Sequence, residues 1–271
     1  MRIGVKPGQW GWTFAELRAS WQAAEDSGFD LIGCFDHVTS APSGQRAWDA
    51  PSLLTAMAGV TQRARLCVYV INAALRHPYL LAAQLAVAQA ASLGRLEVGL
   101  GAGSHHLARF DHRALGIRFP PHRERIALLE ACCRVLPALW RGEAVAEESL
   151  GLDGASLGDI GIDPPHLVVG GATDAILEVA ARHADSWNIS TQDPNEFAER
   201  SAALDAICSG IGRARPLGRT AQVFVGGLSP GALTDAVTRF EEAGADSLVF
   251  VLAETRGADA VRDLARVVIR R

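Results

Sequence analysis

Short apolar runs alternate along this chain with longer stretches in which apolar residues recur every three or four positions. The first kind predicts strands and the second predicts helices. Arg2 to Lys6 (RIGVK), Phe29 to Phe35 (FDLIGCF), Arg65 to Ile71 (RLCVYVI) and Leu96 to Leu100 (LEVGL) read as the first four strands. Helices are expected between them, from a Thr13 cap to Ser27, from Pro51 to Gln62, and from Pro78 to Ala91, where proline occupies a favoured first position. A loop from Ser104 to Phe119 leads to a helix from His122 to Trp140, with Ile126, Leu129, Cys133 and Leu136 on one face.

The second half repeats the rhythm. Strands are predicted at 166–169, 186–190, 221–225 and 247–252, with helices at 173–182, 194–209, 230–243 and 259–269. Regular alternation implies parallel strands joined by right-handed crossovers. Eight such units in 271 residues favour a closed (β/α)8 TIM barrel over an open doubly wound sheet. One domain, 1–271, is expected, with a glycine-rich excursion at about 142–165.

Composition narrows the class. A hydrophobic content of 49% and a net charge of −4 argue against disorder and against a nucleic-acid surface. Lys6 is the sole lysine among 26 basic residues, an arginine bias that hints at a GC-rich bacterial source. The five cysteines are an odd number without metal-ligand spacing, so reduced core thiols are expected. With no leader-like segment and no long apolar run, the reading is a cytoplasmic protein without membrane contact.

In a parallel barrel, ligand groups come from the C-terminal ends of strands. Gly101, Ala102, Gly103 and Ser104 follow the fourth strand, with His105 and His106 behind them, and Gly170, Gly171 and Ala172 follow the fifth. These two glycine clusters could offer backbone N–H groups to a phosphorylated cofactor from two sides, with Ser190 and Thr191 adding hydroxyls. The same residue types also serve as ordinary turn formers and caps. His37 is the imidazole directly at a strand end, suited to acid or base work near neutrality, and Asp36 beside it could orient it. His77 reads as a structural helix cap. The adjacent pair His105 and His106 lacks metal spacing, so no metal is expected. Trp10, Trp12 and Trp48 fall in loops on the working face, where they could wall a substrate pocket. P-loop and dinucleotide fingerprints are absent from the sequence.

The phrases RLEVGLGAG, RALGIRFPPHRERIALLEACCRVLPALW, HLVVGG and AARHADSWN occur in that order, and ALRHPYLLAAQLAVAQAASLGRLEVGLGAG and EEAGADSLVFV extend the pattern. Together they resemble the bacterial luciferase-like monooxygenase family, most closely its deazaflavin-dependent oxidoreductases, over nearly the whole chain. The resemblance implies a (β/α)8 barrel that binds a reduced flavin or the deazaflavin coenzyme F420 at its C-terminal mouth. It implies that Asp36 and His37 match the Asp-His pair ending the second strand, with His37 beside the reacting edge of the ring. Tyr69 and Val70 match a cis non-prolyl peptide backing the ring, and Asn72 a polar residue near the ring's carbonyl edge. Gly101, Ala102, Gly103 and Ser104 match the loop after the fourth strand; Gly170, Gly171, Ala172, Ser190 and Thr191 match phosphate-binding positions. Where some relatives carry a glutamate as second acid, this chain has Ser104 followed by His105: either His105 substitutes, or the proton comes from substrate or water, or the second role is absent.

The expected activity is hydride transfer between coenzyme F420 and a small organic substrate, in a homodimer. One alternative is an FMN-dependent two-component monooxygenase supplied by a separate reductase. Another is a barrel that binds flavin or a metabolite without turnover.

Overall fold

Strands and helices alternate as the apolar pattern predicts, and the computed structural model describes residues 1–42, 44–103, 106–253 and 257–269. The first half runs β1 (Arg2–Pro7), α1 (Phe14–Ser27), β2 (Leu31–Cys34), α2 (Ala50–Ala58), β3 (Arg65–Asn72), α3 (Pro78–Ala91), β4 (Leu96–Gly101), α4 (Ala108–Ala114) and α5 (His122–Trp140). A small hairpin follows, β5 (Val145–Glu147) and β6 (Leu152–Ala155). The second half is β7 (His166–Gly170), α6 (Asp174–His183), β8 (Ser186–Ser190), α7 (Pro194–Gly210), β9 (Gly218–Phe224), α8 (Pro230–Glu242), β10 (Ser247–Leu252) and α9 (Ala258–Val268). Eight parallel strands close in the order β1, β2, β3, β4, β7, β8, β9, β10, with β10 returning to β1.

Local chemistry fixes the helix starts. The Thr13 hydroxyl accepts from the Glu16 N–H at 3.2 Å while the Glu16 carboxylate accepts from the Thr13 N–H at 2.7 Å, a reciprocal cap for α1. Asp49 and Asp193 cap α2 and α7. His77 occupies the cap position of α3, but its side chain makes no capping bond, so the expected cap role is corrected. Pro78 starts that helix through its fixed φ.

Two apolar regions hold the barrel. Between strands and helices, Trp21, Phe29, Leu54, Trp140, Trp187, Phe197 and Phe240 are all essentially inaccessible. Inside the barrel, Leu31, Cys67, Tyr69, Val168 and Val249 form a separate cluster, as closed barrels require. Below them, at the N-terminal end, Glu97 is 1% exposed. It accepts from Arg2 at 2.8 Å, Arg65 at 2.6 Å and the Tyr69 hydroxyl at 2.5 Å. Burial pushes the Glu97 carboxyl up, but the Arg2 charge and hydrogen bonds from Tyr69 and Arg2 outweigh it and hold the group below the ordinary glutamate range.

Three expectations change. The loop 104–119 contains α4, which proves central below. The excursion at 142–165 contains the β5–β6 hairpin, tied down by Tyr79 donating to the Ser156 carbonyl and Gln89 to the Asp163 carbonyl. Short, polar strands such as these leave little periodic signal. Strand β9 begins at Gly218 and α2 ends at Ala58, both earlier than the pattern suggests. The five cysteines are free thiols. Among the described residues no helix is long and apolar enough to cross a membrane.

Candidate active site

All barrel strand ends but that of β10 converge on a cavity of about 670 Å³ at the C-terminal mouth. Among its polar lining residues, Lys6, Asn188 and Gln222 are each at most 5% exposed. Phe35, Tyr69, Val70 and Ile176 give it apolar walls, and Ser190, Phe224, His122 and Arg125 complete the lining. The Tyr69–Val70 peptide is cis, and the β3–β4 register shifts between Val68 and Ile71 at that point.

The glycines of the two clusters are set by packing against the chain itself. A Cβ at Gly101 would lie 2.4 Å from Val70 Cγ2, and one at Gly170 would lie 2.5 Å from Val70 Cγ1. Val70 therefore wedges into the space both glycines vacate. Gly103, with φ +75°, lies over the Asn72 amide, and Gly171, with φ +144°, faces Ile176. The expectation that Gly171 offers its N–H to a phosphate is corrected, because that N–H donates to the Asn188 carbonyl at 3.0 Å. Gly101, Ala102, Gly103, Gly170 and Gly171 do line the cavity; Ala172 does not.

His37 is oriented, but not by its neighbour. In an extended segment adjacent side chains point to opposite sides, and Asp36 faces inward to take Arg76 at 2.6 and 2.8 Å and the Asn72 N–H at 3.0 Å. The carboxylate on His37 is that of Asp111 in α4, 2.8 Å from Nδ1. Asp111 is 1% exposed and also accepts from the Val38 and Thr39 N–H groups at 2.9 and 3.1 Å. Such a carboxylate keeps the proton on Nδ1 and leaves Nε2 to exchange one. The His37 ring lies beside Trp10, centroids 5.0 Å apart, and Trp10 lies 5.2 Å from the wall residue Phe35. His37 is thus linked to the cavity wall through Trp10 and does not itself line the cavity.

Other expected site residues are placed differently. Asn72 is buried under Gly103, its amide shared between His112 at 3.2 Å and the Ala74 N–H at 3.1 Å, so it does not line the cavity. The Thr191 hydroxyl is occupied by Glu196 and by the Asp193 N–H, whereas Ser190 lines the cavity. Trp12 is 1% exposed, a core residue whose carbonyl accepts from the Trp48 indole at 2.9 Å. These two tryptophans pack the first βα loop onto the chain before α2, and none of Trp10, Trp12 and Trp48 lines the cavity. Ser104 and His105 lie outside the described residues. Among the described residues no group of three His, Cys, Asp or Glu side chains is arranged to hold a metal ion.

The sequence reading missed Asp111, Gln222 and Arg76, and it placed Lys6 and Asn188 at strand ends without giving either a role. Asn188 and Gln222 left a signal, since each is an amide flanked on both sides by apolar residues within a strand. Asp111 left none. The Lys6 ammonium donates to the Tyr69 carbonyl at 3.0 Å and to Gln222 Oε1, and it lies 4.0 Å from the Phe35 ring centroid. Gln222 Nε2 in turn donates to Asn188 Oδ1 at 2.7 Å. Burial lowers the Lys6 pKa to about 8.

A flat heteroaromatic cofactor requires apolar faces and hydrogen-bonding groups at its edges. Val70, Phe35 and Ile176 offer the first, and Lys6, Asn188 and Gln222 the second, so the residues present fit such a ring.

Comparison with known proteins agrees with this architecture. The family model described as luciferase-like monooxygenase matches residues 1–226. The chain is 29% identical over 220 residues to an F420-dependent glucose-6-phosphate dehydrogenase of Nakamurella multipartita, covering 79% of this chain and 63% of that protein. It thus spans less than two thirds of that relative's length. An F420-dependent secondary alcohol dehydrogenase, solved with an F420-acetone adduct, superposes with a TM-score of 0.83 at 14% identity, covering 100% of this chain and 99% of the other. The F420-dependent tetrahydromethanopterin reductase of Methanopyrus kandleri gives a TM-score of 0.80 at 15% identity, with 99% of each chain covered. Those two likenesses concern the fold. With its eight-stranded barrel and a family match over most of its length, the chain belongs to the luciferase-like monooxygenase family.

Proposed function

We propose that this protein is an oxidoreductase that moves a hydride between coenzyme F420 and a small organic substrate at the barrel mouth. The observation that carries the reading is the cavity itself. It is bounded by Val70 and two glycine-bearing strand ends, and His37, just beyond the wall residue Phe35 in sequence, has its Nδ1 tied to a buried carboxylate. When bound, the deazaflavin supplies the carbon that takes or gives the hydride.

The chain supplies the rest. Val70, Phe35 and Ile176 exclude water from the ring faces. His37 takes up or returns the substrate proton at Nε2, while Asp111 stabilises the imidazolium through Nδ1. A phosphate would meet the Ser190 hydroxyl and the N-terminus of α6, where the Thr173 side chain makes no capping bond. The dehydrogenase and reductase named above are both F420-dependent, which supports the deazaflavin over FMN.

The test is a fluorescence titration of the purified protein with F420 and with FMN, each in both redox states. Tight binding of F420 with weak binding of FMN is expected. Preference for reduced FMN would replace this reading with a two-component monooxygenase.

A further inference from the structure

Lys6 is a buried cation at the bottom of the cavity. Among the described residues its surroundings contain dipoles, a ring and thiols, but no anion. The groups around Nζ are the Tyr69 carbonyl and Cys67 thiol of β3, the Cys34 thiol of β2, the Phe35 ring just beyond β2, and the Gln222 amide of β9. Burial pushes both thiols up, so they remain neutral. The Asp36 carboxylate is engaged by Arg76 and the Asn72 N–H. Among the described residues no carboxylate forms an ion pair with Lys6.

The amides are polarised to receive a cation. Asn188 Nδ2 donates to the Thr220 carbonyl at 3.3 Å, which turns its Oδ1 toward Gln222. Gln222 Nε2 donates to that oxygen at 2.7 Å, which leaves Oε1 for Lys6. Every member of this row lies at or beside the cavity. A desolvated ammonium held by neutral acceptors is costly unless a negative charge meets it. The cavity is the side from which one can arrive.

We propose that the Lys6 ammonium is the counter-charge for an anionic heterocycle bound in the cavity, and that it favours the reduced over the oxidised form of that ring. This rests on the cofactor reading above. The ring gains one negative charge with each hydride unless a proton follows, so a fixed cation beneath it binds the reduced form more strongly. Reciprocity then requires that the bound ring raise the affinity of Lys6 for its proton by the same factor.

Because Lys6 is the only lysine, the full-length protein grown with 13Cε-labelled lysine gives one lysine signal, and its titration can be followed with and without cofactor. Saturating reduced cofactor should raise the Lys6 pKa by about one unit or more, equivalent to a tenfold preference of the ring for the charged lysine. In parallel, Lys6→Met should weaken the reduced form about tenfold more than the oxidised form. That fold-change corresponds to a potential of the bound couple lower by about 30 mV. If fluorescence shows that cofactor binds but the Lys6 titration does not move, the counter-charge role is wrong and the cofactor reading stands. If neither F420 nor FMN binds, both fall together. The wild-type titration decides the matter even if Lys6→Met does not fold.

Discussion

Two buried charges stand at opposite ends of the barrel, Glu97 and Lys6, and the two are compensated in opposite ways. At the N-terminal end Glu97 is met by two guanidinium groups and a phenol. At the C-terminal end Lys6 is met by a carbonyl, an amide oxygen and an aromatic face. Tyr69 joins them, since its hydroxyl reaches Glu97 and its carbonyl reaches Lys6. The closed end belongs to stability, and the open end faces the cavity. Charge compensation thus distinguishes the two clusters without reference to any ligand.

The comparison breaks most sharply at His37. His37→Ala should cut turnover by about 10²–10⁴-fold, the usual contribution of a general acid or base, while cofactor affinity and unfolding midpoint stay near wild type. Turnover equal to wild type in steady-state assays would remove His37 from the chemistry.

The opposite pattern is expected at the closed end. Glu97→Gln leaves Arg2 and Arg65 without their carboxylate and should cost about 2–4 kcal/mol in urea unfolding, with turnover per folded molecule unchanged. The sign with pH follows from the direction of the shift. The folded-state pKa of Glu97 lies below its ordinary value, so its contribution is complete above the unfolded-state value and disappears as pH falls through the folded one. The gap between wild type and variant should therefore narrow in acid.

Lys6 gives the smallest effect, with the opposite slope. Its folded pKa is about 8 against an ordinary 10.5, so within that window the unfolded chain holds a proton that the folded chain lacks. Wild-type stability should rise relative to Lys6→Met as pH increases through the window, by about 1.4 kcal/mol for each unit of displacement. A parallel pH profile for the two proteins would show that Lys6 titrates normally.

The strands, the barrel and the polar strand ends that line the cavity were legible in the sequence because strand and helix periods differ and strand ends carry the polar residues. His37 was legible for the same reason. Its partner was not, because Asp111 lies 74 residues away in a short helix within what reads as a loop. Neighbouring Asp36 invited the wrong pairing, since sequence adjacency does not show which way extended side chains point. The glycines announced themselves, but not their cause, because Val70 contacts them only across strand pairing. Lys6 stood out as the sole lysine, yet nothing in RIGVK tells whether its head reaches water.

The Val70 wedge also constrains the order in which mutations can accumulate. Since its two methyl groups occupy the volumes of missing side chains at 101 and 170, a larger residue at either position becomes tolerable only after position 70 has shrunk. Descendants of this chain that reshape the cavity mouth would travel through a smaller residue at 70 first, and the three positions would drift as a linked set rather than as independent sites.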